Sequence, residues 1–230
     1  MKLLPLARLK GRIEARADFQ NQILKCKKAN YQCGDACIPR TKKCRLSEKQ
    51  LEKIVQRHED QIKDLPTERV LIIDDKGRVI LSKGGDRTSV EFSWEEERKA
   101  KGAIVTHNHP NLGFSRDDAR SKGFSFSDAD LEFAVWSEVK ELRAVSSGYR
   151  HSLKPPKDGW DKNLYWDQIW YKVSESQKKH KKEVYDEFAK KIITGQMKID
   201  VAERDYHHEV IKRTAKDTGM IYKREEIKNG

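Results

Sequence analysis

The segment 106–110, Thr-His-Asn-His-Pro, carries two histidines separated by a single residue. On an extended chain the side chains at i and i+2 project to the same side, so His107 and His109 can bind one metal ion. Imidazole and carboxylate ligands suit zinc, and a catalytic zinc site keeps one position open for water. The preceding residues, 103–106, are mostly apolar and of strand length, which predicts a buried strand that ends at these histidines.

Two Ser-x-x-Asp segments follow and offer a carboxylate as a third ligand. Ser127 and Asp130 stand at the start of a predicted helix over 128–140, whereas Ser115 and Asp118 lie in a loop. Ser-x-x-Asp at a helix start also resembles a capping box, which needs no metal. We predict that Asp130 is the ligand, because a helix would hold its carboxylate in place. Ordering Asp118 within a loop costs roughly 1–2 kcal/mol per fixed residue.

Hydrophobic periodicity predicts the elements that must position these residues. A helix is expected over 47–65, with a capping box from Ser47 to Gln50 and with His58 packed in its apolar stripe. His207 and His208 are expected at the surface of a later helix, since adjacent helical residues point about 100° apart. The remaining predicted elements are strands at 69–73, 78–82, 90–92, 103–106 and 142–146, a short helix at 94–101, and two long helices within 167–218. Together they predict a mixed α/β sandwich.

Residues 66–147 resemble a JAB/JAMM metalloprotease domain, nearest to the bacterial RadC-like branch. That family has a Glu just before a strand, then a strand that ends in His-x-His-Pro, then Ser-x-x-Asp, and Glu68 occupies the first of these places. The resemblance implies a cytidine-deaminase-like sandwich with a zinc ion held by His107, His109 and Asp130. It further implies hydrolysis of amide bonds in a protein or peptide substrate, as a peptidase or isopeptidase.

The same resemblance assigns catalytic roles to two further residues. Glu68 would act as general base toward water, and Ser127 would donate a hydrogen bond to the developing oxyanion. Without the resemblance, Glu68 is only a charge at a strand start. The loop over 110–126 is about ten residues longer than is usual in the family, an insertion that costs little loop-closure entropy.

All four cysteines lie in one short basic segment with the pattern C-x6-C-x3-C-x6-C: Cys26, Cys33, Cys37 and Cys44. This segment is too polar and too short to bury a core, so a metal or disulfides must hold it together. In a reducing cytosol a structural zinc site is the better interpretation, and that is our prediction. The alternative is a pair of disulfides, for which three connectivities exist.

The charge balance suggests a partner for the first part of the chain. The 230 residues carry a net charge of +11, and residues 1–50 hold 13 Lys and Arg against 4 Asp and Glu, a balance of +9. Such a segment attracts nucleic acid or an acidic protein, or is a solvated arm. No stretch approaches the roughly 18 apolar residues of a membrane span, and the first residues do not resemble a signal peptide. We therefore expect a cytoplasmic protein without a membrane segment.

The predicted organisation has five parts. They are a basic four-Cys module over 1–46, a connecting helix over 47–65, the zinc hydrolase domain over 66–150, an aromatic linker over 151–172 and a charged helical hairpin over 173–230. Two alternative functions remain open at this point. The chain could be a nucleic-acid-associated RadC-like protein, or a structural component of a phage or mobile-element assembly.

Overall fold

The computed structural model describes residues 26–161 and 163–228. The strands are β1 (Asn30–Cys33), β2 (Ala36–Pro39), β3 (Arg69–Ile73), β4 (Val79–Gly84), β5 (Ile104–Asn108), β6 (Glu141–Val145), β7 (Tyr149–Lys154) and β8 (Ile221–Glu226). The helices are α1 (Glu48–Ile62), α2 (Trp94–Glu97), α3 (Asp128–Trp136), α4 (Trp166–Ile193) and α5 (Ile199–Thr218). The mixed α/β class is as predicted, but residues 90–92 form no strand.

Six strands form one mixed sheet in the order β4-β3-β5-β6-β7-β8. All neighbours are antiparallel except β5 and β6, which run parallel. A parallel pair needs a crossover connection, and the loop over 109–127 with α3 supplies it here. The strand that carries the two histidines is therefore central, with neighbours on both sides.

Helices cover both faces of this sheet. On one face, side chains of β3, β5, β6 and β7 pack against α3, α4 and α5 around the fully buried Phe126 and Leu131. On the other face, Leu71, Ile73 and Val145 pack against α1. His107 shares its side of β5 with Val105, so the first candidate ligand points toward the α3, α4 and α5 layer.

A buried ion network fastens α1 to the opposite face. Arg143, only 5% exposed at its side chain, donates to Glu59 over 2.6 Å and to Glu141 over 2.7 Å. Glu59 also accepts from Arg150 (3.1 Å) and from the Thr106 hydroxyl (3.1 Å). Both oxygens of the Glu59 carboxylate accept hydrogen bonds, and two arginines balance its charge. Glu59 can therefore lie fully buried.

The capping box of α1 is confirmed, but its buried stripe differs from the prediction. Ser47 accepts from the Gln50 N–H, and the Gln50 side chain accepts from the Ser47 N–H. Glu59, rather than His58, occupies the buried stripe. His58 is half-buried and lies 3.3 Å from the Gln61 side chain, so the prediction of a core histidine was wrong. Glu59 is buried because it pairs with Arg143 of a strand distant in sequence. The spacing of apolar residues along α1 cannot indicate such a partner.

The preference for zinc at the cysteines was wrong. The described residues contain two disulfides, Cys26–Cys37 and Cys33–Cys44, each with Cα atoms 5.5 Å apart. They hold the β1–β2 hairpin in the absence of a core of its own. Both metal and disulfide need clustered cysteines, so the spacing alone could not decide between them. The zinc prediction depended on a reducing compartment, whereas disulfides persist mainly in oxidising ones.

The last third of the chain belongs to the same body as the centre. The boundary expected at residue 150 falls inside β7, and β8 continues the sheet beyond it. Trp160, Trp166 and Trp170 pack against the main core, as expected for the aromatic cluster. His208 is buried, which corrects the expected surface position, because its ring packs against Tyr222 of β8 and His151 of β7. None of the helices in the described residues has the length and apolar character of a membrane span.

Candidate metal centre

Strand β5 and helix α3 bring two imidazoles and one carboxylate together. His107 Nε2 lies 2.9 Å from His109 Nε2 and 3.3 Å from Asp130 Oδ1. His109 Nε2 lies 3.9 Å from Asp130 Oδ2. One ligand atom from each residue falls within 4.8 Å of the other two, so this group can hold a metal ion. The two histidines share one side because β5 is extended, as their spacing predicted.

The His109 ring is held in the tautomer that a metal ligand needs. Its Nδ1 lies 3.1 Å from the Phe124 carbonyl oxygen, which can only accept, so Nδ1 carries a proton and, in the neutral ring, Nε2 has the lone pair. The His109 main-chain N–H donates to the Val145 carbonyl over 2.8 Å and continues the β5/β6 pairing past the end of β5. Such supporting bonds orient histidine ligands in metal sites.

Burial lowers the pKa of His107, and the charge of His109 acts in the same direction, while Asp130 opposes both. The ring is therefore neutral at neutral pH, which leaves a nitrogen lone pair available for binding an ion. For Asp130, burial acts to raise the pKa, but the two imidazoles and hydrogen bonds from Ser127 outweigh it and the pKa is lowered. The site thus presents the neutral imidazole of His107, the imidazole of His109 and one carboxylate anion.

Asp130 takes part in both arrangements that the sequence allowed. Its Oδ2 accepts from the main-chain N–H of Ser127 over 2.7 Å and from the Ser127 hydroxyl over 2.8 Å, while its own N–H donates to that hydroxyl over 3.2 Å. Its Oδ1 faces His107. One oxygen therefore closes a capping box and the other remains for an ion. The Ser127 hydroxyl proton is directed at Asp130, so Ser127 orients this carboxylate, and its oxyanion role stays a prediction.

Asp118 is not part of the group formed by His107, His109 and Asp130. Its carboxylate forms an ion pair with the Arg120 guanidinium over 2.5 Å. Asp118 also caps the short 3-10 turn at Ala119–Lys122. Arg120 in turn contacts Glu203 of α5 over 2.7 Å. These bonds fasten the long loop to α5, so Asp118 has a structural role there.

Glu68 directly precedes β3, at the position across from His109. Val70 pairs with His107 at the end of the antiparallel β3/β5 ladder, and extending this register by two residues along each chain brings Glu68 opposite His109. Burial raises the pKa of the Glu68 carboxyl to about 7; the charge of His109 opposes this shift and that of Asp130 adds to it. A carboxyl with a pKa near the working pH is suited to general-base chemistry.

Asn108, between the two histidines, is a residue that the sequence analysis missed. It is fully buried and points to the other side of β5. Its Oδ1 accepts from the Arg69 N–H over 2.7 Å, and its amide donates to the Thr67 carbonyl (3.2 Å) and the Leu65 carbonyl (3.4 Å). These bonds fix the segment that carries Glu68. A polar residue inside a buried strand was the available signal.

A second polar cluster, also missed, lies behind the centre. The Tyr222 hydroxyl lies 2.9 Å from Ser125 Oγ, 2.9 Å from His151 Nδ1 and 2.8 Å from His208 Nδ1. A phenol has one proton, so at least two of these three neighbours donate to it. His151 lies in the same row of the sheet as His107, two strands away. The cluster joins α5 and β8 to β7 and to the loop that precedes α3, through residues that are distant in sequence.

The donor set, two imidazoles and one carboxylate, is of the kind that binds a tetrahedral ion. Bonds of about 2.0–2.1 Å to a tetrahedral zinc would separate neighbouring ligand atoms by about 3.3 Å. Two of the three spacings are close to this, at 2.9 and 3.3 Å around His107 Nε2, whereas His109 Nε2 lies 3.9 Å from Asp130 Oδ2. The side chains of His109 and Asp130 stay 14% and 21% exposed, so one side of the group is open to solvent.

Comparison with known proteins adds no relative. No protein-family model, curated protein or solved structure matches the chain. Functional inference therefore depends on the geometry of the centre and on the motif resemblance described above.

Proposed function

We propose that this protein is a zinc-dependent hydrolase of amide bonds, a peptidase or isopeptidase of the JAB/JAMM type. The observation that carries the proposal is the convergence of His107, His109 and Asp130. Glu68 directly precedes the neighbouring strand β3, and His109 and Asp130 both act on its pKa. The order of these residues along the chain is the order of the family's motifs. A mixed sheet with helices on both faces, and the histidines at the end of a central strand, supports a JAB/JAMM-like sandwich.

Each residue of the centre has a separate role in the proposed reaction. When bound, a zinc ion supplies Lewis-acid chemistry, polarising a carbonyl oxygen and lowering the pKa of water. Glu68 accepts the proton of the attacking water and returns it to the leaving amine. Ser127 holds the Asp130 carboxylate in place, and Asn108 holds the segment that carries Glu68. The substrate class that this chemistry fits is a polypeptide with an accessible amide or isopeptide bond.

Glu68→Gln tests the proposal with little change in shape. We expect the variant to bind as much zinc as the wild type and to lose hydrolysis by at least about a hundredfold, the usual contribution of a positioned base. The assay follows new peptide ends by mass spectrometry after incubating the zinc-loaded protein with a peptide library and with isopeptide-linked peptides. Glu91→Gln, at an exposed position between β4 and α2, is the matched control and should keep full activity. Equal activity in Glu68→Gln and wild type would contradict the assigned base.

A further inference from the structure

A positively charged cleft lies where the disulfide-bonded hairpin meets the β3–β4 turn. Five residues of the module and two cations of the turn line it: Tyr31, Arg40, Thr41, Lys42, Lys43, Lys76 and Arg78. The metal centre lies near the start of β3 and this turn follows its end. Five strand residues at about 3.3 Å each therefore separate the two sites by roughly 17 Å.

The cleft is built on a rigid frame. The Tyr31 hydroxyl donates to the Lys42 carbonyl over 2.7 Å and accepts from the Cys44 N–H over 2.7 Å. The Cys33–Cys44 disulfide closes the same loop. The Gly34 N–H donates to the Lys76 carbonyl over 2.8 Å, which docks the hairpin on the turn. The main chain that carries the cations is thus fixed before any ligand arrives.

Most of these cations are not neutralised by the protein. Arg78 forms a 2.5 Å ion pair with Asp74. Among the ion pairs of the described residues, none includes Arg40, Lys42, Lys43 or Lys76. The first three of these are exposed, and Lys76 Nζ lies 5.8 Å from the ring centre of Tyr31. Three exposed cations and the half-buried Lys76 therefore surround one cleft, and none of the four forms an ion pair within the described residues.

We propose that this cleft binds the phosphate backbone of a nucleic acid. Phosphates are bound by Lys and Arg through charge and counterion release, with no need for apolar contact. The core of a protein–protein interface is instead depleted in Lys and anchored by aromatic or apolar side chains. The remaining lining residue is Thr41, so no aliphatic side chain lines the cleft, and the Tyr31 hydroxyl is occupied within the module. The charge pattern therefore favours a nucleic acid over an acidic protein.

The test compares two triple variants of the full chain that lose the same charge. Lys42→Gln/Lys43→Gln/Lys76→Gln removes cleft cations, and Lys172→Gln/Lys182→Gln/Lys190→Gln removes exposed lysines of α4. Binding to a fluorescein-labelled DNA duplex and to its single strand is followed by anisotropy across a salt series. We expect the cleft variant to lower the duplex log–log salt slope by about 2 to 3 and the affinity by about tenfold or more. The control should change the slope by less than about 1.

Three results would overturn the proposal. Equal losses in both triple variants would mean that net charge, not the cleft, attracts DNA. Binding of polyglutamate but of neither DNA form would identify an acidic protein as the partner. Binding of none of these probes would leave the cleft without a ligand of this class. Intact mass without reduction, together with an unchanged thermal midpoint, verifies that the cleft variant keeps both disulfides and its fold.

Discussion

At the scale of single residues, Asp130 combines a helix cap with a ligand position. The Ser127 bonds to Oδ2 hold the carboxylate where a metal would meet Oδ1. A capping bond contributes about 1 kcal/mol to helix stability whether or not a metal is bound. The capping box and the ligand assignment, which looked like alternatives in the sequence, are therefore compatible, and the cap preorganises the ligand.

The raised pKa of Glu68 predicts how the stability of the metal-free protein depends on pH. Burial raises its pKa in the folded protein to about 7 from an ordinary value of 4.5, so between these pH values the folded state holds a proton that the unfolded chain has released. Stability must then fall as pH rises from about 4.5 to about 7. Urea midpoints measured with a chelator across this range should show the fall in the wild type and a flatter profile in Glu68→Gln.

The exposed Glu91→Gln variant serves as control for this pH series and should follow the wild-type profile. If Glu68→Gln and the wild type lose stability in parallel over the same range, the raised pKa does not belong to Glu68.

At the scale of elements, the buried network between α1 and β6 predicts a large effect on stability. Arg143→Met removes the cation that pairs with Glu59 and Glu141, two carboxylates in the interior. Breaking a buried pair from one side costs about 3–5 kcal/mol, because the remaining charge is left uncompensated. We expect a loss of this size in the free energy of unfolding from urea titration.

An exposed pair provides the comparison for Arg143→Met. Arg57 contacts Asp35 over 2.6 Å, with both side chains about half exposed or more. Arg57→Ala should cost less than about 1 kcal/mol. Similar losses in the two variants would show that the network does not hold α1 to the sheet.

The elements also show how far the sequence could predict the structure. The β3–β4 hairpin and β5 could be predicted because short apolar runs in the sequence indicate buried strands. Strand β8, Ile221–Glu226, carries four charged residues in six and pairs with β7 far along the chain, so no local pattern indicates it. The same holds for the site. The spacing of the motifs indicated His107, His109 and Asp130. Asn108 and the Tyr222 cluster could not be identified in this way, because their roles depend on contacts between distant segments.

At the scale of the whole molecule, β7, β8 and the helical hairpin make the last third of the chain part of the sheet. A chain ending at residue 172 loses β8, α5 and most of α4, which exposes the edge of β7 and uncovers Leu153. We expect this truncation to abolish cooperative unfolding or to cause aggregation, as seen by circular dichroism and gel filtration. Deletion of 1–46 removes only the module and should preserve a cooperative transition. Cooperative unfolding of the 172-residue chain at the full-length midpoint would support the predicted independence of the helical hairpin over 173–230.

The most direct test of the central claim is the zinc content of the purified protein. After zinc loading and dialysis, elemental analysis should give about one zinc per chain, since the cysteines are committed to disulfides. Asp130→Ala and His109→Ala should lose this zinc, because each removes one of three ligands. Asp118→Ala should retain it, since that carboxylate pairs with Arg120. A wild-type protein that retains no zinc, or an Asp118→Ala variant that loses it while Asp130→Ala keeps it, would contradict the account.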